Sequence, residues 1–179
     1  MPGPGEPAPP LRARPVFGLE VDLAAWTARG PAVVVFLRYL GSPFTRASLA
    51  RLQAAFPRLD VRGIGVVALT DSPLAAGRDF VPRHHLLFPV ICDPERALYR
   101  AWGVDAGGLA GALAGLARGG VALEALRQGH GRVDGRWASR PSAFLVAPGG
   151  EVAWAWRGAH PAAVVPVDEV VERAEGLTG

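Results

Sequence analysis

The stretch AVVVFLRYLGSPFTR, residues 32–46, decides how the chain folds. Its first part, Ala32 to Leu40, is apolar and β-branched over a length that suits a strand buried on both faces. Beyond it Leu49, Leu52 and Phe56 recur at helical spacing, joined by Phe44, Ala55 and Leu59. Ser42 suits an N-cap and Pro43 a first helical position, so the pattern predicts a helix from Pro43 to Phe56, stopped by Pro57. In an α/β fold, a helix start at the end of a central strand is where chemistry sits.

Working outward, the residues before this stretch read as two parts. MPGPGEPAPPLRARP, residues 1–15, is rich in Pro and Gly with no apolar run, which predicts a disordered leader and not a signal peptide. Pro15 to Leu23 then reads as a short hairpin or strand, and LAAWTARG as a brief helix closed by Gly30. On the other side, Val61 to Asp71 is a second buried strand, followed by a helix starting at Ser72-Pro73. LLFPVICD is a third strand ending at Cys92, placed on a sheet edge because Pro89 lacks a donor. Pro94 to Trp102 follows as a helix capped by Asp93.

Three successive strand–Ser/Asp–Pro–helix units imply parallel strands joined by right-handed crossovers. Their helix N-termini then gather at one sheet edge, mildly electropositive and suited to an anion or a thiolate. From 105 to 139 the pattern loosens into helical stretches near Leu109–Arg118 and Val121–Gln128 and a polar loop. PSAFLVA, the turn PGGE and VAWAWR read as an antiparallel β-hairpin, and Pro166 to Glu175 as a last helix. The sum is one α/β domain over 16–178: a mixed sheet with parallel central strands, helices on both faces and a C-terminal hairpin.

Composition narrows the partners. The 179 residues carry 19 basic against 16 acidic side chains, every basic one an Arg, for a net charge of only +3. The arginines are scattered, which argues against nucleic acid as a partner. No apolar stretch reaches membrane-spanning length, so a soluble cytoplasmic protein is expected. Cys92 is the single cysteine, which leaves no Cys-x-x-Cys pair, intrachain disulfide or cysteine metal cluster. No cofactor and no metal are expected.

With these residues in view, the order of elements is similar to the thioredoxin fold as elaborated in peroxiredoxins. VVVFLRYLGSPFTR resembles the strand and active-site turn that in these families reads F-x-R-x-x-x-C-P-x-C-R, matched by Arg38, Pro43, Phe44 and Arg46. VVALTDSP and FPVICDPERALYRAWGV resemble the second and third strands with their capped helices. RPSAFLVAPGGEV resembles the strand after the thioredoxin-type cis-proline, with Pro141 in that place. WRGAHPAAVVPVDEVV resembles the C-terminal segment of the alkyl hydroperoxide reductase/thiol-specific antioxidant (AhpC/TSA) group. The resemblance implies a thioredoxin-like, peroxiredoxin-type fold and, in its active members, thiol peroxidase or disulfide oxidoreductase chemistry.

It also marks where this chain departs. Ser42 and Thr45 stand where the two motif cysteines would be, and Pro141 stands at the usual place of the peroxiredoxin site arginine, with Arg140 one residue earlier. Peroxide reduction needs a thiolate, whose pKa falls from about 8.5 to about 3.5–7.5 at such a helix start. A hydroxyl does not ionise there and forms neither sulfenic acid nor disulfide.

The remaining candidates are weighed on chemistry. Cys92 ends an edge strand two strands from Ser42, about 10 Å away laterally; a lone cysteine is ordinarily a small apolar filler, though the helix N-termini nearby would mildly stabilise its thiolate. Ser42 or Thr45 as a nucleophile needs a histidine base and an orienting carboxylate. None of His84, His85, His130 and His160 has that context, and Ser42 reads as a plain helix cap. His84-His85 lies at a helix end, where imidazole favours the C-terminal dipole, and lacks a third metal ligand. Arg38, Ser42, Thr45, Arg46 and Arg140 form a candidate anion site. Trp154 and Trp156 share a strand face with Val152, as core packing or, if exposed, as a homodimer interface. The expected function is a redox-inactive pseudoenzyme, a binding or regulatory module for a small anion or a protein. The alternative is a thiol-dependent peroxidase working through Cys92 with an external reductant.

Overall fold

The structure, a computed structural model, describes residues 1–104, 134–135 and 139–178. Its elements are β1 (Arg12–Ala13), β2 (Val21–Asp22), α1 (Leu23–Thr27), β3 (Ala32–Phe36), α2 (Pro43–Asp60), β4 (Gly65–Thr70), α3 (Leu74–Arg83), β5 (Val90–Cys92), α4 (Ala97–Ala101), β6 (Ser142–Val146), β7 (Val152–Arg157) and α5 (Val167–Glu175). Five strands form one sheet in the order β5-β4-β3-β6-β7. β3 runs parallel to β4, and β4 to β5, while β6 is antiparallel to both β3 and β7. This is the expected mixed sheet with parallel central strands and a terminal hairpin. The helical stretches expected within 105–133 lie outside the described residues.

β3 is buried at all its positions because both sheet faces are covered. Val33 and Val35 point into one cluster with Leu49, Leu52 and Leu59 of α2, Phe80 of α3 and Val170 and Ala174 of α5. Val34 and Phe36 point into the other, with Leu23 of α1, Tyr99 of α4, and Trp102. There the Phe36 ring meets Tyr99 edge-on at 5.0 Å between centroids. α2 runs through Pro57 to Asp60 rather than stopping at Phe56. A proline in the final turn forfeits a single backbone bond, and the full burial of Leu59 outweighs that loss.

Residues 1–15 correct the expectation of a disordered leader. Gly5 N–H donates to Val152 O, Val152 N–H to Glu6 O, and Ala8 N–H to Gly150 O, each at 2.9 Å. The segment then crosses a sheet face, forms β1 against β2, and Val16 N–H donates to Val90 O at 2.7 Å. It therefore covers part of both sheet edges, the places where unpaired backbone would otherwise be exposed. Leu11, 2% exposed, anchors it in the second cluster. Leu11→Ala is expected to lower unfolding free energy by about 2–3 kcal/mol in urea titration. A change under about 0.5 kcal/mol would restore the disordered reading.

The hairpin holds a second correction. A register shift between Leu145 and Val146 in the β6–β7 pairing reverses the alternation along β7. Val152 packs into the second cluster, whereas Trp154 and Trp156 pack, partly buried, against the first. The two tryptophans thus do not share a face with Val152. The Arg173 guanidinium lies 5.6 Å from the Trp154 ring centroid.

Candidate functional site

The site is the turn from Leu37 to Arg46 at the C-terminal end of β3. Past Phe36, one more backbone bond, Leu37 N–H to Leu69 O at 2.8 Å, continues the sheet before the chain peels away. Side chains from the next elements then hold the turn. Tyr99 Oη donates to Leu37 O at 2.5 Å, Thr70 Oγ1 donates to Arg38 O at 2.8 Å, and Leu40 N–H donates to Ser72 Oγ at 2.8 Å. Ser72 in turn donates to Asp134 Oδ1 at 2.7 Å. Ser72 is thus a prop for the turn rather than the cap of α3, whose N-cap is Pro73.

Ser42 takes the N-cap position of α2 with Pro43 as the first helical residue, but its hydroxyl does not cap. It is 0% exposed, and among the described residues Ser42 Oγ has no hydrogen-bond partner. The expectation of a plain helix cap is therefore corrected: residue type suits the role, yet the side chain does not perform it. Thr45, where a peroxidatic cysteine would stand, is buried in the first turn.

The arginines separate. Arg38 is 7% exposed; its Nη1 donates to Pro161 O at 2.9 Å and its guanidinium lies 5.1 Å from the Tyr39 centroid. Burial pushes its pKa down, opposed by Tyr39 and Asp71. Arg46 Nε donates to Leu40 O at 3.2 Å, and its guanidinium lies 5.7 Å from the Phe80 centroid. Among the described residues, Arg140 Nε is buried without a hydrogen-bond partner. Pro141 O accepts from Gly158 N–H at 2.8 Å. No described peptide bond is cis, so the bond before Pro141 is trans, unlike that of a thioredoxin-type cis-proline.

Arg46 also lines an open cleft of about 850 Å³ with Leu40, Gly41, Phe80, His84 and Asp134. The His84 ring stacks on Phe80 at 3.9 Å between centroids. Burial first, then the charges of Arg46 and Arg83, lower the His84 pKa, which favours neutral imidazole. The helix-end position is as expected, but desolvation and two neighbouring arginines outweigh the dipole that would have favoured its charge. Among the described residues no group of three His, Cys, Asp or Glu could hold a metal ion.

Cys92 lies two strands from β3, at the end of edge strand β5 and outside the turn. Its sulfur packs against Gly77 so closely that a Cβ there would come within 2.6 Å of Sγ. Burial pushes the thiol up to about 11, opposed by a hydrogen bond from the Gly77 backbone and reinforced by Asp134. The expected mild stabilisation of a thiolate at this edge is overturned, because desolvation exceeds what one backbone amide returns.

Sequence reasoning missed the polar core beside the turn. Arg96, 2% exposed, donates from Nη1 to Asp71 Oδ2 and to Ser139 Oγ, both at 2.8 Å, and from Nη2 to Val104 O at 3.2 Å. Its guanidinium stacks 4.3 Å from the Tyr99 centroid, so Arg96 braces the tyrosine that holds Leu37. The expectation that Asp93 caps a helix starting at Pro94 is corrected: α4 starts at Ala97 with Arg96 at its N-cap, and the Asp93 carboxylate reaches across to accept from Ala97, Leu98 and Tyr99 N–H.

A five-stranded mixed sheet with α2 starting at the end of central β3 defines a thioredoxin-like fold of the peroxiredoxin type. A family profile described as AhpC/TSA antioxidant enzyme matches residues 51–160, and the chain belongs to that family. The match begins after Arg46, leaving the turn outside it. Solved structures agree on the fold. Peroxidoxin BcpB from Mycobacterium tuberculosis aligns with a TM-score of 0.71 at 11% identity, over 99% of each chain. Peroxiredoxin Q from Xanthomonas campestris aligns at 0.69 and 20% identity, over 94% of this chain and 92% of that one. Yeast mitochondrial 1-Cys peroxiredoxin aligns at 0.73 and 15% identity, over 99% and 76%. No curated protein sequence matches the chain. No helix among the described residues is long and apolar enough to cross a membrane.

Proposed function

We propose that this protein is a redox-inactive member of the AhpC/TSA antioxidant family, a cytoplasmic binding or regulatory module built on the inherited turn. Its ligand is a small anion or a protein partner, and its assembly state is a homodimer. The observation that carries the reading is the separation of scaffold from sulfur. Tyr99, Thr70 and Ser72 still hold the turn by direct hydrogen bonds. The one thiol lies at the end of β5, with its pKa near 11.

At pH 7 a thiol of that pKa is ionised in about one molecule in ten thousand. Intact mass after dilute hydrogen peroxide is expected to show no rapid oxidation of Cys92. Iodoacetamide labelling is expected to rise only as pH approaches the upper end of its range. Stoichiometric oxidation within seconds, or turnover with an added thiol reductant, would establish Cys92 as a one-cysteine peroxidase and defeat the proposal.

A further inference from the structure

The end of the sheet away from the turn carries an open hollow of about 280 Å³ beside the start of β4. Its main walls are apolar: Trp26 of α1, Phe56 of α2, and Pro89 just before β5. Trp26 packs, partly buried, against one core cluster and Phe56 against the other, so the hollow lies at the rim of the sheet. Glycines shape its floor. A Cβ at Gly65 would come within 2.6 Å of the Trp26 ring, so only glycine lets the indole lie against the β4 backbone. Gly63, at φ 69°, closes α2: its N–H donates to Asp60 O at 2.9 Å, and Ile64 N–H donates to Leu59 O at 3.1 Å.

Two charges of opposite sign stand at the rim of this hollow. Arg29 follows α1 and donates from Nε to Ala25 O at 3.2 Å, and Asp60 ends α2. Both are exposed and both line the hollow. Among the described residues neither forms an ion pair, with the other or with any third group. Asp60 is the less expected of the two, because the last turn of a helix disfavours an anion. The arginines nearest to it in sequence, Arg58 and Arg62, are engaged by Glu175. An ammonium at Asp60 and a carboxylate at Arg29 would complement both charges, while an apolar side chain covered the Trp26 and Phe56 rings. The volume falls just under the usual range for small-molecule sites, about 300–1,000 Å³, which suits a ligand of amino-acid size.

We propose that this hollow binds a free α-amino acid with an apolar side chain. Arg29 holds its carboxylate, Asp60 its ammonium, and Trp26, Phe56 and Pro89 its side chain. The length of β4 separates this site from the turn. Gly65 begins the strand, and Thr70, which donates to Arg38 O, ends it about 17 Å away. Binding here therefore requires neither that the turn hold a ligand nor that Cys92 be inert.

The test is calorimetric titration and thermal unfolding of the full chain with L-leucine and, separately, L-phenylalanine, against glycine and sodium chloride as controls. At ten times the dissociation constant, the bound amino acid is expected to raise Tm by about 3–6 °C. L-Leucinamide lacks the carboxylate and N-acetyl-L-leucine lacks the ammonium, and each is expected to bind about tenfold more weakly than L-leucine. Arg29→Gln and Asp60→Asn, both at exposed positions, are each expected to weaken L-leucine about tenfold in a chain that still folds. Asp60→Asn is expected to leave N-acetyl-L-leucine binding unchanged, and Arg29→Gln that of leucinamide, because each variant removes a partner the probe no longer needs. Three results overturn the proposal: neither amino acid gives heat or a Tm shift beyond the controls at about 20 mM, the capped derivatives bind as tightly as L-leucine, or either charge variant binds L-leucine as the native chain does. Peroxide turnover by Cys92 would defeat the redox-inactive reading without touching these outcomes, so the two failures are distinguishable.

Discussion

Replacing Arg96 with methionine is expected to lower unfolding free energy by about 3–5 kcal/mol, near the upper end for single substitutions. Methionine approximates the volume of the side chain, so the loss is electrostatic rather than a cavity. Asp71, whose side chain is 1% exposed, would keep its charge without the guanidinium bonded to it at 2.8 Å. Ser139 Oγ would lose its Nη1 donor and Val104 O its Nη2 donor. In a chain of this size the expected fall in Tm is about 10 °C. The double variant Arg96→Met with Asp71→Leu separates the cost of a buried carboxylate that has lost its arginine from the worth of the pair. It is expected to recover at least half of the loss, because apolar replacement of a whole buried pair is close to neutral. A loss below about 1 kcal/mol for Arg96→Met would mean that water or other neighbours of Asp71 hold its charge without the arginine.

That network shows where sequence reading stops. The strands Ala32–Phe36 and Gly65–Thr70 were legible because burial on both faces leaves continuous apolar runs, and the turn Pro148-Gly149-Gly150 marked the hairpin. Nothing local distinguishes Arg96 from the scattered arginines at the surface. Its partner lies 25 positions away, and its own φ of 60° is unusual for a side-chain-bearing residue. The first fifteen residues misled for a different reason. Proline and glycine do lower the tendency to form a core, but this segment is held by backbone bonds of Gly5, Glu6 and Ala8, which composition does not encode. The face of Trp154 turned on one register shift. Ser42 had the residue type of a cap and the position of a cap, and only the direction of its hydroxyl decided otherwise.

The turn itself can be asked whether it still cradles a thiolate, by Thr45→Cys in a Cys92→Ser background. Position 45 is the third residue of α2, and the first-turn amides receive no bond from the Ser42 side chain. Helix N-termini depress thiol pKa values to about 3.5–7.5, while burial raises them, as it does at Cys92. At Cys92 one backbone amide opposes burial and loses; at position 45 the first-turn amides of Phe44 and Thr45 and the dipole of an 18-residue helix act together. The new thiol is therefore expected to titrate at or below about 7. Relative to Cys92, near 11, its thiolate fraction at pH 7 rises by more than a thousandfold. The gain in alkylation rate is smaller, because a thiolate of lower basicity is a weaker nucleophile, losing about 0.4–0.5 log units per pKa unit. Four units take back nearly two decades, which leaves a net acceleration with iodoacetamide of about 50–100-fold over the native chain. The labelling midpoint on the pH axis is the sharper readout, since it is independent of access. A midpoint at or above that of free cysteine would show that burial cancels the helix start. The turn would then have lost its cradle together with its sulfur, and the scaffolding by Tyr99, Thr70 and Ser72 would serve the fold alone.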